Sequence, residues 1–189
     1  MNGPASDLGF SALLEAHAAI DDALLLHEEA LLLLDVELAI ELLAAHGRLL
    51  AVHMRHEEDV VLDAFRRVPP VKKWPVVLYT GQHEKLLWHL ARMTQSTLQL
   101  RALSGSTLRR AAITLLDLEA TYKHLHEHHD GAEREGLFPL VDHEATLQAW
   151  RDRVPALLAE WRAALQAEEL LFAAARGRLD SRAARLNGA

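Results

Sequence analysis

The sequence predicts an all-α protein, an up-down-up-down four-helix bundle with an additional C-terminal helix. Three observations lead to this fold class. The 189 residues are rich in Ala, Leu, Glu and Arg, which favour helix. Apolar residues recur at spacings of three and four, which is the helical period. Breaking residues are few and well separated, and the only β-like stretch, VVLY at 76–79, is too short to predict a strand.

The breaking residues divide the chain into helices in order. Asp35 follows LLLL and suits an N-cap, so it separates a first helix from a second. Pro69-Pro70 ends the second helix, and Ser104-Gly105-Ser106 predicts a turn after the third. Pro139 and Asp142 mark the boundary after the fourth. The four helices are therefore expected over about 8–33, 36–67, 75–103 and 107–138.

The bundle is expected to occupy residues 8–141, and residues 142–189 to form a fifth helix with a polar tail. Apolar residues continue at helical spacing over about 144–176, where Pro155 either kinks the helix or restarts it. Beyond Gly177 the polar tail is expected to fray. The fifth helix either packs on the bundle or forms the contact of a homodimer.

Charge and composition exclude several classes of function. The formal net charge of −7 argues against a basic face that binds nucleic acid. The chain has no Cys, which excludes disulfides, thiolate metal ligands and Cys nucleophiles and fits a reducing cytoplasm. The N-terminus has no signal-peptide pattern, and the apolar runs are too short to span a membrane. We therefore expect a cytoplasmic protein.

Histidine is unusually frequent, with twelve in the chain. At 100° per residue, each of the four predicted helices places one His on its apolar face. Two of these are followed four residues later by Glu on the same face, in the pattern H-x-x-x-E. The set comprises His17, His53 with Glu57, His83, and His129 with Glu133.

These side chains are also predicted to lie at one level of the bundle. The midpoint of His17 and His53 is residue 35, and the midpoint of His83 and His129 is residue 106. Both positions are turns that were assigned from breaking residues, so antiparallel helices bring the imidazoles to the same height. That height is roughly 27 Å from the first turn, at 1.5 Å per residue.

Buried carboxylates and imidazoles require compensation, because an isolated charge in a core is very costly. Either they form a polar network by themselves or a cation binds them. Nitrogen and oxygen donors without sulfur suit iron, manganese or zinc. Two carboxylates between two His pairs suit two ions, with each Glu bridging both. One arrangement gives one ion His17 and His53 and the other ion His83 and His129, but the sequence leaves this pairing open.

The motifs resemble the hemerythrin-like, HHE cation-binding family over about residues 10–141. They are EAH at 15–17, HMRHEED at 53–59, GQHEKLL at 81–87 and HDGAEREGLFPL at 129–140. The resemblance implies a non-haem di-iron centre that meets O₂, peroxide or NO, with Glu57 and Glu133 bridging the irons.

Two positions depart from oxygen-carrying hemerythrins. On the third helix, Leu87 stands four residues after His83, where those proteins have a second His. On the fourth helix, Glu133 stands four residues after His129, whereas those proteins have an Asp five residues after the corresponding His. Asp21, one turn after His17, is the best substitute ligand. His56 and His126 point partly inward and are candidates for a further ligand or for a group that hydrogen-bonds a ligand.

His46 and Tyr122 each stand seven residues before a motif His. They are candidates to hydrogen-bond groups around the ligands or to line a ligand pocket, the alternative being an ordinary buried pair.

Two classes of function remain open from the sequence. One is an oxidase- or peroxidase-type oxidoreductase that uses an iron-bound oxidant. The other is a non-catalytic carrier, store or sensor of O₂, NO or iron, and a sensor would use the fifth helix to transmit the change. A purely structural bundle is a third interpretation.

Overall fold

The computed structural model of the chain describes residues 9–68, 73–142 and 153–187, and all regular structure in these ranges is helical. This confirms the all-α prediction. Within these ranges the α-helices are α1 (Glu15–Leu32), α2 (Val36–His56), α3 (Leu62–Arg67), α4 (Val76–Gln99), α5 (Gly105–Ala132), α6 (Phe138–Val141) and α7 (Val154–Asn187). Short 3₁₀ turns, Phe10–Leu14 and Leu100–Ala102, precede α1 and follow α4. The predicted Pro69-Pro70 turn lies outside the described residues.

Two π-helical turns join pairs of these helices into continuous rods. The first π turn, Glu57–Val61, connects α2 to α3, and the second, Glu133–Leu137, connects α5 to α6. Backbone angles stay in the right-handed helical region where each π turn begins. The rod formed by α5 and α6 therefore continues to Val141. It ends at the predicted boundary residue Asp142 and passes through Pro139. Pro139 stands in the first turn of α6, where a missing N–H is tolerated.

The helices α1, α2, α4 and α5 contact one another in sequence: α1 packs against α2, α2 against α4, α4 against α5, and α5 against α1. The C-terminal helix α7 lies against α2 and α1. None of the described helices is both long enough and apolar enough to cross a membrane.

Buried apolar side chains form two separate clusters. The larger includes Ile20, Met54, Leu86 and Tyr122, and the smaller includes Leu13, Val60, Tyr79 and Ala132. The bundle has four long helical segments, which we call rods: 10–32, 36–67, 76–99 and 105–141. Each rod contributes to both clusters. Along each rod the predicted metal ligands lie where one cluster gives way to the other, as His83 does between Tyr79 and Leu86. A layer of buried polar groups therefore separates two apolar layers.

The C-terminal helix agrees with one of the predicted alternatives at its start and differs from its prediction at its end. It begins at Val154 with Pro155 in its first turn, as expected if the proline restarts a helix; residues 143–152 lie outside the described residues. The expected fraying after Gly177 was wrong, because α7 continues to Asn187. Asp35 precedes α2 but makes no capping bond. Its buried carboxylate instead accepts hydrogen bonds from Arg178 at 2.5 and 2.6 Å and pairs with Arg182 at 2.5 Å.

Candidate metal centre

The six predicted ligands lie together in the buried polar layer, and none is more than 2 % exposed. They form two overlapping groups that share both glutamates. Within each group, one ligand atom of every residue lies within 4.8 Å of the others. The groups are His17, His53, Glu57 and Glu133, and Glu57, His83, His129 and Glu133.

The imidazoles approach one another in pairs. The Nε2 atoms of His17 and His53 lie 2.9 Å apart, and those of His83 and His129 lie 3.2 Å apart. Each carboxylate then reaches one imidazole of each pair. Glu57 Oε1 lies 3.0 Å from His53 and Oε2 lies 3.1 Å from His83. Both glutamates therefore span the two imidazole pairs.

Glu133 repeats this arrangement from the opposite rod. Its Oε2 lies 3.1 Å from His17 Nε2, and its Oε1 lies 3.1 Å from His129 Nε2. The two H-x-x-x-E motifs thus make equivalent contacts, as their sequence similarity suggests.

Both π turns begin at a bridging glutamate. A π turn adds one residue to a helical turn and is frequent at functional sites. Its local effect is visible in the burial pattern, because Val60, Val61 and Leu62 are all buried in succession. Consecutive residues of a regular α-helix point 100° apart, so such a run does not fit one face. The turn lets the glutamate and the apolar residues after it face the core together.

The outer nitrogens of the imidazoles meet acceptor groups. His83 Nδ1 lies 2.8 Å from Glu58 Oε1, and His129 Nδ1 lies 3.3 Å from Gln82 Oε1. Carboxylate and amide oxygens only accept, so each Nδ1–H donates, and Nε2 is the ring atom that faces the centre. Asp130 Oδ2 lies 3.3 Å from His17 Nδ1, although outside hydrogen-bond geometry.

At the centre, neighbouring charges shift the pKa values in the direction opposite to the effect of burial. Burial alone would raise the pKa of Glu57, but His53, His129 and His83 hold this pKa well below its usual range. Burial would lower the pKa of His129, yet Glu133 and Glu57 raise it well above its ordinary value. In the same way, burial lowers and Glu57 raises the pKa of His53, with a net increase. These contacts therefore stabilise the negative carboxylate of Glu57 beside the imidazoles of His53 and His129.

The donor set fits metal ions. All four carboxylate oxygens of Glu57 and Glu133 are buried without a partner in hydrogen-bond geometry. Two ligand atoms that bind one ion at about 2.1 Å and at right angles lie roughly 3.0 Å apart. The nitrogen–nitrogen and nitrogen–oxygen distances given above cluster around this value. Two buried groups of nitrogen and oxygen donors with shared carboxylates can thus hold metal ions.

The other candidate residues lie around the centre rather than in it. His46 Nδ1–H donates to the carbonyl oxygen of Ile20 at 3.0 Å, and its Nε2 lies 2.7 Å from the Tyr122 hydroxyl. His46 and Tyr122 are thus hydrogen-bonded directly to each other, which leaves no space for a ligand between them. His56 Nε2 lies 3.0 Å from Glu160 on α7, and so links α2 to the C-terminal helix.

Asp21 and His126 form a separate pair, with Asp21 Oδ1 3.2 Å from His126 Nδ1. They join Asp130 in a third group of possible ligands. Asp21 therefore pairs with His126 instead of supplementing His17.

Sequence reasoning missed the partners of the ligands. Glu58, Gln82 and Asp130 each adjoin a ligand in sequence, and this adjacency of a polar acceptor was the available signal. It was weak, because adjacent residues on one helix point in different directions. A second buried pair, His27 Nε2 and Glu119 Oε1 at 2.9 Å, lies outside the centre.

No family model, curated protein or solved structure matches this chain.

Proposed function

We propose that this chain is a hemerythrin-like protein that holds two iron ions at the six-residue centre and binds or reduces O₂, peroxide or NO there. The observation that carries the proposal is the position of the two glutamates. Each buried carboxylate places one oxygen against each imidazole pair, as a bridging ligand between two ions requires. Manganese or zinc fits the same donors. Zinc has no redox chemistry, and the resemblance favours iron over manganese.

The proposed architecture is the up-down-up-down bundle with α7 added to it. The closed series of contacts among α1, α2, α4 and α5 supports this arrangement. The order of the two apolar clusters supports it as well. Along the chain the smaller cluster comes before the ligand on α1 and α4, and after it on α2 and α5. That alternation is expected of antiparallel neighbours.

The residues of the chain have distinct tasks in the proposed chemistry. Bound ferrous iron supplies the electrons for ligand binding or reduction. Glu58 and Gln82 hold His83 and His129 with their Nε2 atoms turned inward. The two apolar layers keep water away from the donors. Tyr79 carries a proton next to the centre, because burial and then the charge of Glu133 raise the pKa of its hydroxyl.

Oxidoreductase activity is the first candidate. Each of the two groups offers two imidazole nitrogens and two carboxylate oxygens, so an ion held there would still have room for an exogenous ligand. Burial favours the second candidate, non-catalytic binding of O₂ or NO, because donors that are at most 2 % exposed admit a diatomic ligand more easily than an organic substrate. Continuous consumption of O₂ or peroxide by the iron-loaded protein identifies the enzyme; a reversible absorption change without consumption identifies the binder.

Metal analysis tests the centre itself. Protein purified from iron-supplemented cells is expected to contain close to two irons per chain and to change its near-ultraviolet absorption on exposure to air. E57Q should lose most of the iron, because it removes the charge that spans both imidazole pairs. E133Q should behave in the same way.

Glu119→Gln is the matched control, since Glu119 is equally buried and also faces a His, but outside the centre. H89A is a second control, because His89 is not among the six donors. Equal iron in E57Q, E119Q and the wild type would contradict the proposal.

A further inference from the structure

A third group of ionisable side chains lies beside the centre without belonging to it. Asp21 on α1 and His126 and Asp130 on α5 each offer one ligand atom within 4.8 Å of the others. Asp21 is exposed, Asp130 is half-buried, and the side chain of His126 is only 5 % exposed. The group therefore extends from the surface inward.

Two atoms in this group are buried without partners. They are His126 Nε2 and Asp130 Oδ1, which lie 4.0 Å from each other. That distance is too long for a hydrogen bond. A nitrogen and an oxygen that bind one ion at about 2.1 Å each can lie up to about 4.2 Å apart. The separation of the two unpartnered atoms therefore suits one ion between them better than direct contact.

A surface pocket of about 450 Å³ opens onto this group. Its charged lining consists of Asp21, Asp22, Glu28, Glu127, Lys123 and His126. Lys123 already pairs with Glu28 at 2.6 Å, and Asp22 pairs with Arg176 of α7. Within the described part of the chain, the exposed carboxylates of Asp21 and Glu127 face only imidazoles, those of His126 and His124. The pocket therefore carries a negative potential that concentrates cations.

Asp130 connects the group to the centre. Its Oδ1 faces His126, and its Oδ2 lies 3.3 Å from His17 Nδ1. The Nε2 of His17 in turn faces the centre, 3.1 Å from Glu133. Nitrogen and oxygen atoms that could bind a metal ion therefore follow one another at 3.2 to 4.0 Å, from Asp21 in the pocket through His126 and Asp130 to His17.

We propose that Asp21, His126 and Asp130 form an outer divalent-cation site through which metal ions enter the protein and pass to the buried centre. The delivery role rests on the proposed function, whereas the outer site itself does not. The alternative is a protonated His126 that pairs with both aspartates, in which case the group holds no ion.

Ion counting and loading rates distinguish these arrangements. The metal-stripped full-length chain is mixed with Fe²⁺ under anaerobic conditions. Bound ions are counted by equilibrium dialysis, and ions that resist a brief chelator challenge are counted over time. We expect three bound ions, of which two become resistant to the chelator. Asp21→Ala should bind two, because it removes the exposed oxygen donor, and should fill the resistant sites about tenfold more slowly.

Glu127→Ala is the matched control. It removes the same charge from the same pocket but no atom of the proposed site, so it should bind three ions and load within a factor of about two of the wild-type rate. The same count and rate in D21A and wild type, with two resistant ions in both, would overturn the outer site and leave the proposed function intact. Equal slowing by E127A and D21A, without loss of an ion, would also overturn it. One ion that depends on Asp21, with no resistant ions, would instead overturn delivery and the proposed function while retaining the outer site.

Discussion

His46 shows how a single buried hydrogen-bonding arrangement determines a protonation state. Its Nδ1–H donates to the Ile20 carbonyl oxygen, so its Nε2 must accept from the Tyr122 hydroxyl. Protonation of Nε2 would break that acceptance in a fully buried site. Burial, partly offset by the bond to Ile20, accordingly lowers the pKa of His46 to about 4.

The lowered pKa of His46 predicts a loss of stability in mild acid. Its pKa is about 6.5 in the unfolded chain and about 4 in the folded one, so the unfolded state binds more protons between these values. The free energy of unfolding should therefore fall as pH decreases from 6.5 to 4, with about 3 kcal/mol from this residue. Urea unfolding at several pH values measures it.

His46→Gln, which does not titrate, should be less stable at neutral pH and should lose this part of the pH dependence. His128→Gln is the control, since His128 is exposed and should leave the slope unchanged. An H46Q slope as steep as that of the wild type would assign the acid sensitivity to other groups.

At the residue scale, the sequence was sufficient to name the six side chains. Each lies on the inward face of its helix, and the distances from the predicted turns place all six at one level of the bundle. It was not sufficient to assign their partners. Asp130 contacts His17 across two helices, and Asp21 turns to His126. Such contacts depend on how far apart and at what rotation the helices pack, which the spacing of one helix does not contain.

At the scale of elements, the π turns are the main feature that periodicity did not predict. The second one carries Gly136 close to an aromatic ring. A Cβ at Gly136 would lie 2.5 Å from a ring carbon of Trp74 and 3.1 Å from the Tyr79 hydroxyl. The turn that starts at Glu133 can therefore pack here only with a residue that lacks a side chain.

Gly136→Ala is expected to lower the free energy of unfolding by about 1–3 kcal/mol, because the Trp74 ring must move to admit the methyl group. Urea unfolding gives the difference. Gly177→Ala is the control: no atom lies within 4 Å of the position that its Cβ would occupy, and Ala in the interior of α7 should add up to about 1 kcal/mol. A neutral G136A would show that the ring is free to shift.

The C-terminal helix shows a different limit of local sequence patterns. The polar segment after Gly177 predicts a frayed tail, because polar chain ends are usually solvated. A polar end that packs on the protein has the same composition, so the sequence does not distinguish the two. Here Arg178 and Arg182 both reach the buried carboxylate of Asp35. The partner lies 143 positions away along the chain, so the stabilising contact has no local signal.

At the scale of the whole molecule, the polar layer between the two apolar clusters opposes folding unless its charges are balanced. Two carboxylates and four imidazoles lie there with little access to water. Ion binding balances them only in the folded state, because the donors come from four separate rods. The proposed ions should therefore contribute to the stability of the entire fold.

Addition of Mn²⁺ to the metal-stripped protein should raise the thermal midpoint. An ion at 100 times its Kd adds about 2.7 kcal/mol, which corresponds to roughly 5–10 °C for a domain of this size. Mg²⁺ is the control, since it prefers oxygen ligands and should have little effect. EDTA should reverse the shift, and E57Q should largely lack it; an equal response to both ions would mean binding outside the imidazole-rich centre.

The sequence by itself determined the helical class, the inward faces of the rods and the six side chains of the candidate centre, because these follow from the helical period and from the positions of breaking residues. Only the tertiary structure decided which oxygen of each glutamate faces which imidazole, that π turns begin at Glu57 and Glu133, and that Asp130 lies between His17 and His126. The reason is geometric. A repeat along one helix defines a direction, whereas a contact between helices depends on their separation and rotation, which the packing of the whole core sets.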